Sequence, residues 1–218
     1  MLKNLYFIRH GQTLFNLLNK VQGASDSLLT SRGEAQADEL GARFKEEQID
    51  FDAVFSSDLG RARQTAKRFL HHSMKPDMPI IETENLREVS FGSFEGGSND
   101  TLWETGSQGK HDLTVTEASS DEDKIHILSA IKEKDKLHLA ESFEEVRERI
   151  SRLLDQVSHS NHSDILLFSH GLIIDCVLYL LSDFQMHVTR IPNTSVTKIA
   201  CHDPSSYHIE YVGRTEHF

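Results

Sequence analysis

Three places in this chain carry residue types suited to holding and attacking an anion. Arg9-His10-Gly11 follows the apolar run Leu5-Tyr6-Phe7-Ile8. Ser56-Ser57-Asp58 follows Ala53-Val54-Phe55, with Arg61 just beyond. Ser169-His170-Gly171 follows Ile165-Leu166-Leu167-Phe168. If the strands that end in these residues are neighbours, two guanidiniums and two imidazoles converge. Like charges at about 4 Å, with an effective dielectric of about 20, repel by on the order of 4 kcal/mol per pair. A phosphoryl dianion between them turns that repulsion into attraction, and the planar fork of arginine matches phosphate oxygens. Backbone N–H groups at Gly11, Gly171 and the helix starts could add donors. Neutral imidazole is nucleophilic, and its reference pKa of about 6.5 leaves it largely available at neutral pH. Flanking arginines oppose its protonation. The chemistry implied is phosphoryl transfer, which needs positioning and charge stabilisation above all.

The elements that must position these residues are visible as alternating patterns. Short apolar strands at residues 5–8, 53–55, 80–81 and 165–168 alternate with helical stripes. Ala37, Leu40, Gly41 and Phe44 mark one helix, entered by a Ser31/Glu34 capping box. Ala62, Ala66, Phe69 and Leu70 mark a second. A third carries Phe143, Val146, Ile150, Leu153, Leu154 and Val157, entered by a Ser142/Glu145 box, and a fourth starts near Gly171. Residues 196–201 and 209–212 read as two final strands. Residues 90–123 lose periodicity and read as a surface insertion, part loop and part short helix, with Asp121-Glu122-Asp123 as a solvated helix start. Strand–helix alternation implies a three-layer α/β/α sandwich with a mainly parallel central sheet. Ligands of such sheets bind beyond the carboxyl ends of the strands.

Composition narrows the function classes. The chain has 218 residues and a net charge of −11. That length fits one α/β domain spanning residues 1–218, with a variable lid or insertion at about 90–140. Such an acidic chain has no general attraction for nucleic acid or anionic lipid, so phosphate must meet a local positive cluster. Cys176 and Cys201 form no disulfide framework and suggest reduced thiols in a cytoplasmic protein. The stretch at 5–8 is too short for a signal peptide, and the apolar run at 172–181, broken by Asp175, is too short to span a bilayer. The expected partner is a small phosphorylated molecule, with neither nucleic acid nor membrane. Oligomeric state is unreadable.

Arg9-His10-Gly11-Gln12-Thr13, with Asn16 beyond, resembles the signature of the histidine phosphatase superfamily, which includes the cofactor-dependent phosphoglycerate mutases. Further blocks are similar: Gln22-Gly23; Leu29-Thr30 with Gly33 and Gln36; Ser56 to Ala66; Leu86-Arg87-Glu88 with Phe91-Gly92 and Glu95-Gly96; Ser169-His170-Gly171; Asn193 with Ser195. Only residues 97–140 match nothing distinctive. The resemblance implies a phosphoglycerate mutase-like fold and a role for each matched residue. His10 would be the nucleophile that forms a phosphohistidine. Arg9, Arg61 and His170 would hold phosphoryl oxygens, assisted by Asn16, and Glu88 would be the general acid. Gln22 and Gly23 would line the entrance. No metal or cofactor is expected, because arginines supply the charge. Two departures stand out: Leu172 and Asp175 occupy positions where many members have Gly and Arg. The surroundings of Glu88, Arg87 and Val89-Ser90-Phe91-Gly92, resemble phosphatases more than mutases.

Rival readings are specific. Arg61 could be a solvated helix charge, but a helix N-terminus disfavours a cation. Glu88 could be an ordinary loop carboxylate. Among 13 histidines, His71-His72 and His159 with His162 are the nearest pairs for a metal, without zinc-site spacing. Cys176 sits among apolar residues and reads as core. The expectation is a metal-independent phosphomonoesterase. A phosphoglycerate mutase and a phospho-ligand binding module without turnover are the alternatives. Substrate specificity is expected from residues 92–140, with Lys110 and His111 as candidates to approach an acidic substrate.

Overall fold

The computed structural model describes residues 2–108, 115–116, 119–185, 190–203 and 206–218. In chain order, β1 (Lys3–Arg9) leads through one helical turn, α1 (Leu14–Leu17), to α2 (Ser31–Glu46). Then come β2 (Ala53–Ser57), α3 (Gly60–His72) and β3 (Ile80–Thr83). Two 3-10 turns, Glu84–Leu86 and Gly92–Phe94, precede α4 (Asn99–Ser107), α5 (Asp121–His126) and α6 (Leu128–Lys134). The chain continues as α7 (Phe143–Ser158), β4 (Asp164–Ser169), α8 (Gly171–Leu181), β5 (Val196–Asp203) and β6 (Ser206–Arg214). The sheet order is β3-β2-β4-β1-β5-β6. The first four of these strands pair in parallel, and β5 and β6 add antiparallel at one edge.

Side chains alternate across the pleat and give the sheet two apolar faces. Tyr6, Ile8, Val54, Leu166 and Phe168 meet Leu40 and Phe44 of α2 and Ala66 and Phe69 of α3. Leu5, Phe7, Phe55, Ile165 and Leu167 meet Val146, Ile150 and Leu153 of α7 and Ile173 and Val177 of α8. The result is the expected three-layer sandwich. On the first face the Phe69 ring lies 5.0 Å from Phe44 and 5.3 Å from Phe168. Truncating a side chain buried this way costs about 3–5 kcal/mol. The apolar run at 172–181 is α8, buried within the sandwich; among the described residues no helix is long and apolar enough to cross a membrane.

Two local expectations shift. Ser142 and Glu145 form the expected capping box of α7. At α2 the cap is Thr30, not Ser31: its Oγ1 accepts from Gly33 N at 3.0 Å and donates to Gln12 Oε1 at 2.9 Å. A cap of this kind contributes about 1 kcal/mol, and here it also ties the α2 entrance to the segment after His10. The insertion is more helical than its sequence suggests. Its helices bury Leu102, Trp103, Ile125, Ile127, Leu128 and Ile131 in the core shared with α7 and α8. Helices of 6 to 9 residues are too short to display a periodicity.

The topology places the site. β1 and β4 are neighbours, but β1 leads to α2 on one face and β4 to α8 on the other. A crevice opens where such connections diverge. Arg9 is in register with Ser169, so His10 and His170 emerge side by side at the carboxyl ends.

Candidate active site

His10 is 3% exposed, and its Nδ1 lies 2.8 Å from the Gly11 carbonyl oxygen. A carbonyl only accepts, so Nδ1 carries the proton and the lone pair sits on Nε2. Burial, then Arg61, then Arg9 hold its pKa well below the ordinary 6.5, against the opposing Gly11 bond. Gly11 packs backbone against backbone: a Cβ there would lie 2.4 Å from the Gly33 carbonyl oxygen. Its N–H donates to Thr65 Oγ1 at 3.0 Å. The donor expected from Gly11 is therefore already engaged, and this glycine serves to seat the His10 backbone.

His170 is the N-cap of α8 and fully buried. Arg61 Nε donates to its Nδ1 at 3.0 Å. A guanidinium only donates, so Nδ1 carries the lone pair and Nε2 the proton. That Nε2 is buried without a hydrogen-bond partner among the described residues. Burial, then Arg61, then His10 lower the His170 pKa well below 6.5. The two rings stand 5.2 Å apart between centroids. One imidazole thus presents a lone pair at Nε2 and the other an N–H at the same position.

Arg61 lies in the first turn of α3 and is 1% exposed. One terminal nitrogen donates to Ser25 O at 2.9 Å and to Asp26 Oδ1 at 3.1 Å. The other donates to Gln22 O at 3.3 Å and Gly23 O at 2.9 Å. With Nε on His170, all five N–H groups of a guanidinium are matched by protein acceptors. These partners explain a cation at a helix N-terminus, and they leave none of its N–H groups unmatched for a direct bond to a phosphoryl oxygen, the contact the sequence reading expected. The loop that supplies them is held by Glu95, whose carboxylate accepts from the N–H groups of Gly23, Ala24, Ser25 and Phe91. Gly23 is required there, since a Cβ would lie 2.1 Å from Val89 O.

A cleft of about 110 Å³ opens at Arg9 and Gly171, the chain neighbours of His10 and His170, while the two histidines and Arg61 lie buried behind its lining. Arg9, Asn16, Gln22 and Gly171 of the expected set line it, as do the departures Leu172 and Asp175. Arg9 also donates to Ile191 O. The Asn16 carbonyl oxygen accepts from Thr13 N at 3.2 Å and Asn193 Nδ2 at 3.3 Å, which turns its amide nitrogen outward as the donor. Gln22 behaves likewise: Oε1 is held by Thr13 and Ser27, and the buried Nε2 has no partner among the described residues.

Glu88 is 8% exposed and sits at the start of α8. It borders a second cavity with Ala24, Arg87 and Arg149 rather than the cleft itself. Its carboxylate accepts from Leu172 N at 3.1 Å and from Ile173 N and Val89 N at 3.0 Å. Such bonds favour the anion, yet burial outweighs them and raises its pKa above 4.5. Arg149 holds the segment from behind, donating to the carbonyl oxygens of Asn85, Arg87 and Glu88 and to Glu141.

The family model for the histidine phosphatase superfamily, branch 1, matches residues 5–212. The chain belongs to the histidine phosphatase superfamily. A broad-specificity phosphatase of Saccharomyces cerevisiae is 32% identical over 220 residues, covering 98% of this chain and 86% of the relative. A probable phosphoglycerate mutase of Escherichia coli is 28% identical, covering 89% and 83%. The crystal structure of a phosphoglycerate mutase from Bacillus anthracis superposes with a TM-score of 0.87 at 30% identity, covering 98% of this chain and 94% of the other.

Within this superfamily scaffold, the supporting residues are what sequence reading passed over. Glu95, Thr65 and Asn193 lie in recognised blocks without an assigned task. Asp26, Glu141 and Arg149 carry no local signal, because only the fold brings them to Arg61 and Glu88. His72, His159 and His162 face separate carboxylates, Asp38, Asp155 and Asp52. Cys176 and Cys201 are buried. Lys110 and His111 lie outside the described residues.

Proposed function

We propose that this chain is a metal-independent phosphomonoesterase working through a phosphohistidine on His10. Supporting it above all is the opposed pair of tautomers. The His10 Nε2 lone pair attacks phosphorus while the His170 Nε2–H donates to a phosphoryl oxygen. Arg9, the amide nitrogen of Asn16 and the N–H of Gly171 bind the remaining oxygens, with Arg61 adding charge from behind. As the P–N bond forms, the P–O bond to the alcohol breaks, and Glu88 delivers its proton to the leaving oxygen. Its raised pKa favours that role. Water then attacks phosphorus, Glu88 takes the proton, and phosphate leaves with His10 regenerated. The arginines supply the charge that a metal supplies in other phosphoryl transferases.

The likeness to the Bacillus anthracis mutase supports a second reading, in which phosphoryl returns to bound glycerate. Incubation with 3-phosphoglycerate and bisphosphate primer separates the two: net phosphate release is expected, and sustained isomer formation without it overturns the hydrolase. Rapid quench with a labelled phosphomonoester should trap acid-labile phosphoenzyme. The variant His10→Ala should lose it, together with at least ~10⁴-fold in turnover.

A further inference from the structure

We propose that Asn193 is a positioning residue for phosphoryl transfer: its carboxamide, locked against the His10 backbone, fixes the rotation of the Asn16 carboxamide so that a donor faces the phosphoryl group. This deepens the phosphohistidine reading and rests on it for the roles of His10 and Asn16. Asn193 Nδ2 donates to His10 O at 2.9 Å and to Asn16 Oδ1 at 3.3 Å, groups 183 and 177 residues away in sequence. A carboxamide is nearly symmetric in shape, and turning it over exchanges an acceptor for two N–H donors. Its neighbours decide which way it points.

Here each choice forces the next. The His10 carbonyl only accepts, so Asn193 must present nitrogen to it. That nitrogen has two N–H groups, and the second goes to Asn16. Asn16 Oδ1 thus meets two donors, Asn193 Nδ2 and Thr13 N at 3.2 Å, and a turned-over Asn16 would set donor against donor at both. Its nitrogen is left for the cleft that Asn16 lines. The reverse rotation would aim a carbonyl dipole at a phosphoryl dianion, replacing a charge-assisted bond with a repulsion. Position 193 therefore needs two N–H groups on one short side chain. Serine supplies one, and leucine, of similar shape, none.

The backbone around Asn193 is held to match. Ser195 N–H closes a turn on Pro192 O at 3.2 Å, Thr194 N donates to Arg9 O at 3.0 Å, and Arg9 N donates to Ser195 O at 3.2 Å. Thr194 sits at φ +54°, in the left-handed region that a β-branched residue rarely enters. Such an outlier persists only where its surroundings over-determine it, and outliers of this kind cluster at active sites. Asn193 itself is half-buried and borders a cavity of about 140 Å³ against α2. Replacing it removes hydrogen bonds without opening a void in either apolar layer.

A double-mutant cycle on the full chain tests this. Asn193→Leu removes both donors without adding a charge. With p-nitrophenyl phosphate, kcat/KM should fall by ~10-fold in Asn193→Leu and by ~30-fold in Asn16→Ala. In the Asn16→Ala background, the further loss from Asn193→Leu should shrink below about threefold, because the group it orients is gone. Affinity for inorganic phosphate, by calorimetry, should follow the same pattern. In ¹⁵N NMR, phosphate should shift the Asn16 side-chain amide signals in the wild type and move them much less in Asn193→Leu. The melting temperature of that variant should stay within about 3 °C of the wild type. Losses that multiply in full across the cycle, or Asn193→Leu at wild-type efficiency, overturn the proposal. If Asn193→Leu does not fold, Asn193→Ser decides in the same cycle. Hydrolysis through a phosphohistidine, with losses that multiply, leaves the phosphatase reading standing and removes this inference. Phosphate affinities coupled across the cycle, without hydrolysis by the wild type, do the reverse.

Discussion

The floor of the site and its outer wall are built by different means. At the floor, His10 and His170 are set by the register of β1 on β4. Each ring meets a partner with no choice of role, a carbonyl that accepts or a guanidinium that donates. To the outer wall the insertion contributes Phe91, Asn99, Trp103 on α4 and Lys124 on α5, beside Asn19, Lys20 and Arg190 from outside it. The floor is rigid because backbone pairing and saturated hydrogen bonds define it. The wall rests on side-chain packing and a few local ties, such as the Lys20–Ser98 bridge, and can be rebuilt without disturbing the sheet. Chemistry on the floor and selectivity on the wall is the division this predicts.

That division can be broken by substitutions on either side. After the loss expected at His10, the largest effect should come from Glu88→Gln. Alkyl phosphates should slow by ~10³-fold and aryl phosphates by far less, because only the poor leaving group needs a proton. Equal slowing of both, in a leaving-group series, would remove the acid role. Next, Arg61→Lys keeps the charge but cannot hold His170 Nδ1 and the loop carbonyls together. We expect kcat to fall by ~100-fold, with ¹⁵N NMR showing mixed His170 tautomers. A loss confined to KM would mean that Arg61 acts only in binding. On the wall, Trp103→Phe should raise KM by roughly fivefold, more than it lowers kcat. A larger effect on kcat would erase the distinction between floor and wall.

The smallest effect is on stability. His10 and His170 stay neutral in the folded protein below 6.5, where the unfolded chain takes up protons. The unfolded state then binds more protons, so stability rises with pH in that window and is lost as pH falls below 6.5. Glu88 works in the opposite sense above 4.5, where the folded state holds the extra proton. Two histidines against one carboxyl should lower the urea midpoint between pH 7 and 5.5. The double variant His10→Gln/His170→Gln should flatten that slope, and an unchanged slope would assign it elsewhere.

The strands and long helices were legible because their periodicities are long and their ends carry polar residues. Short helices were not, since α5 spans less than two turns and its apolar residues serve a core shared with α7 and α8. The cap of α2 was misplaced by one residue. Thr30 gains a bond to Gln12, a residue 18 positions away that no local pattern reveals. Arg61 does meet His170, but its other partners, Asp26 and the carbonyls of 22–25, carry no local signal.

By itself the order of residues determined which groups could do the chemistry: two histidines and two arginines following apolar strands, and one glutamate before a loop. Those identities set nucleophilicity, charge and donor count wherever the chain places them. Only the tertiary structure decided protonation and direction. Which ring nitrogen carries the proton, and which way each pKa moves, depends on neighbours remote in sequence, such as Arg61 for His170, 109 residues apart. Hydrogen bonds and desolvation act through space at a few ångströms, and the linear chain does not encode that distance locally.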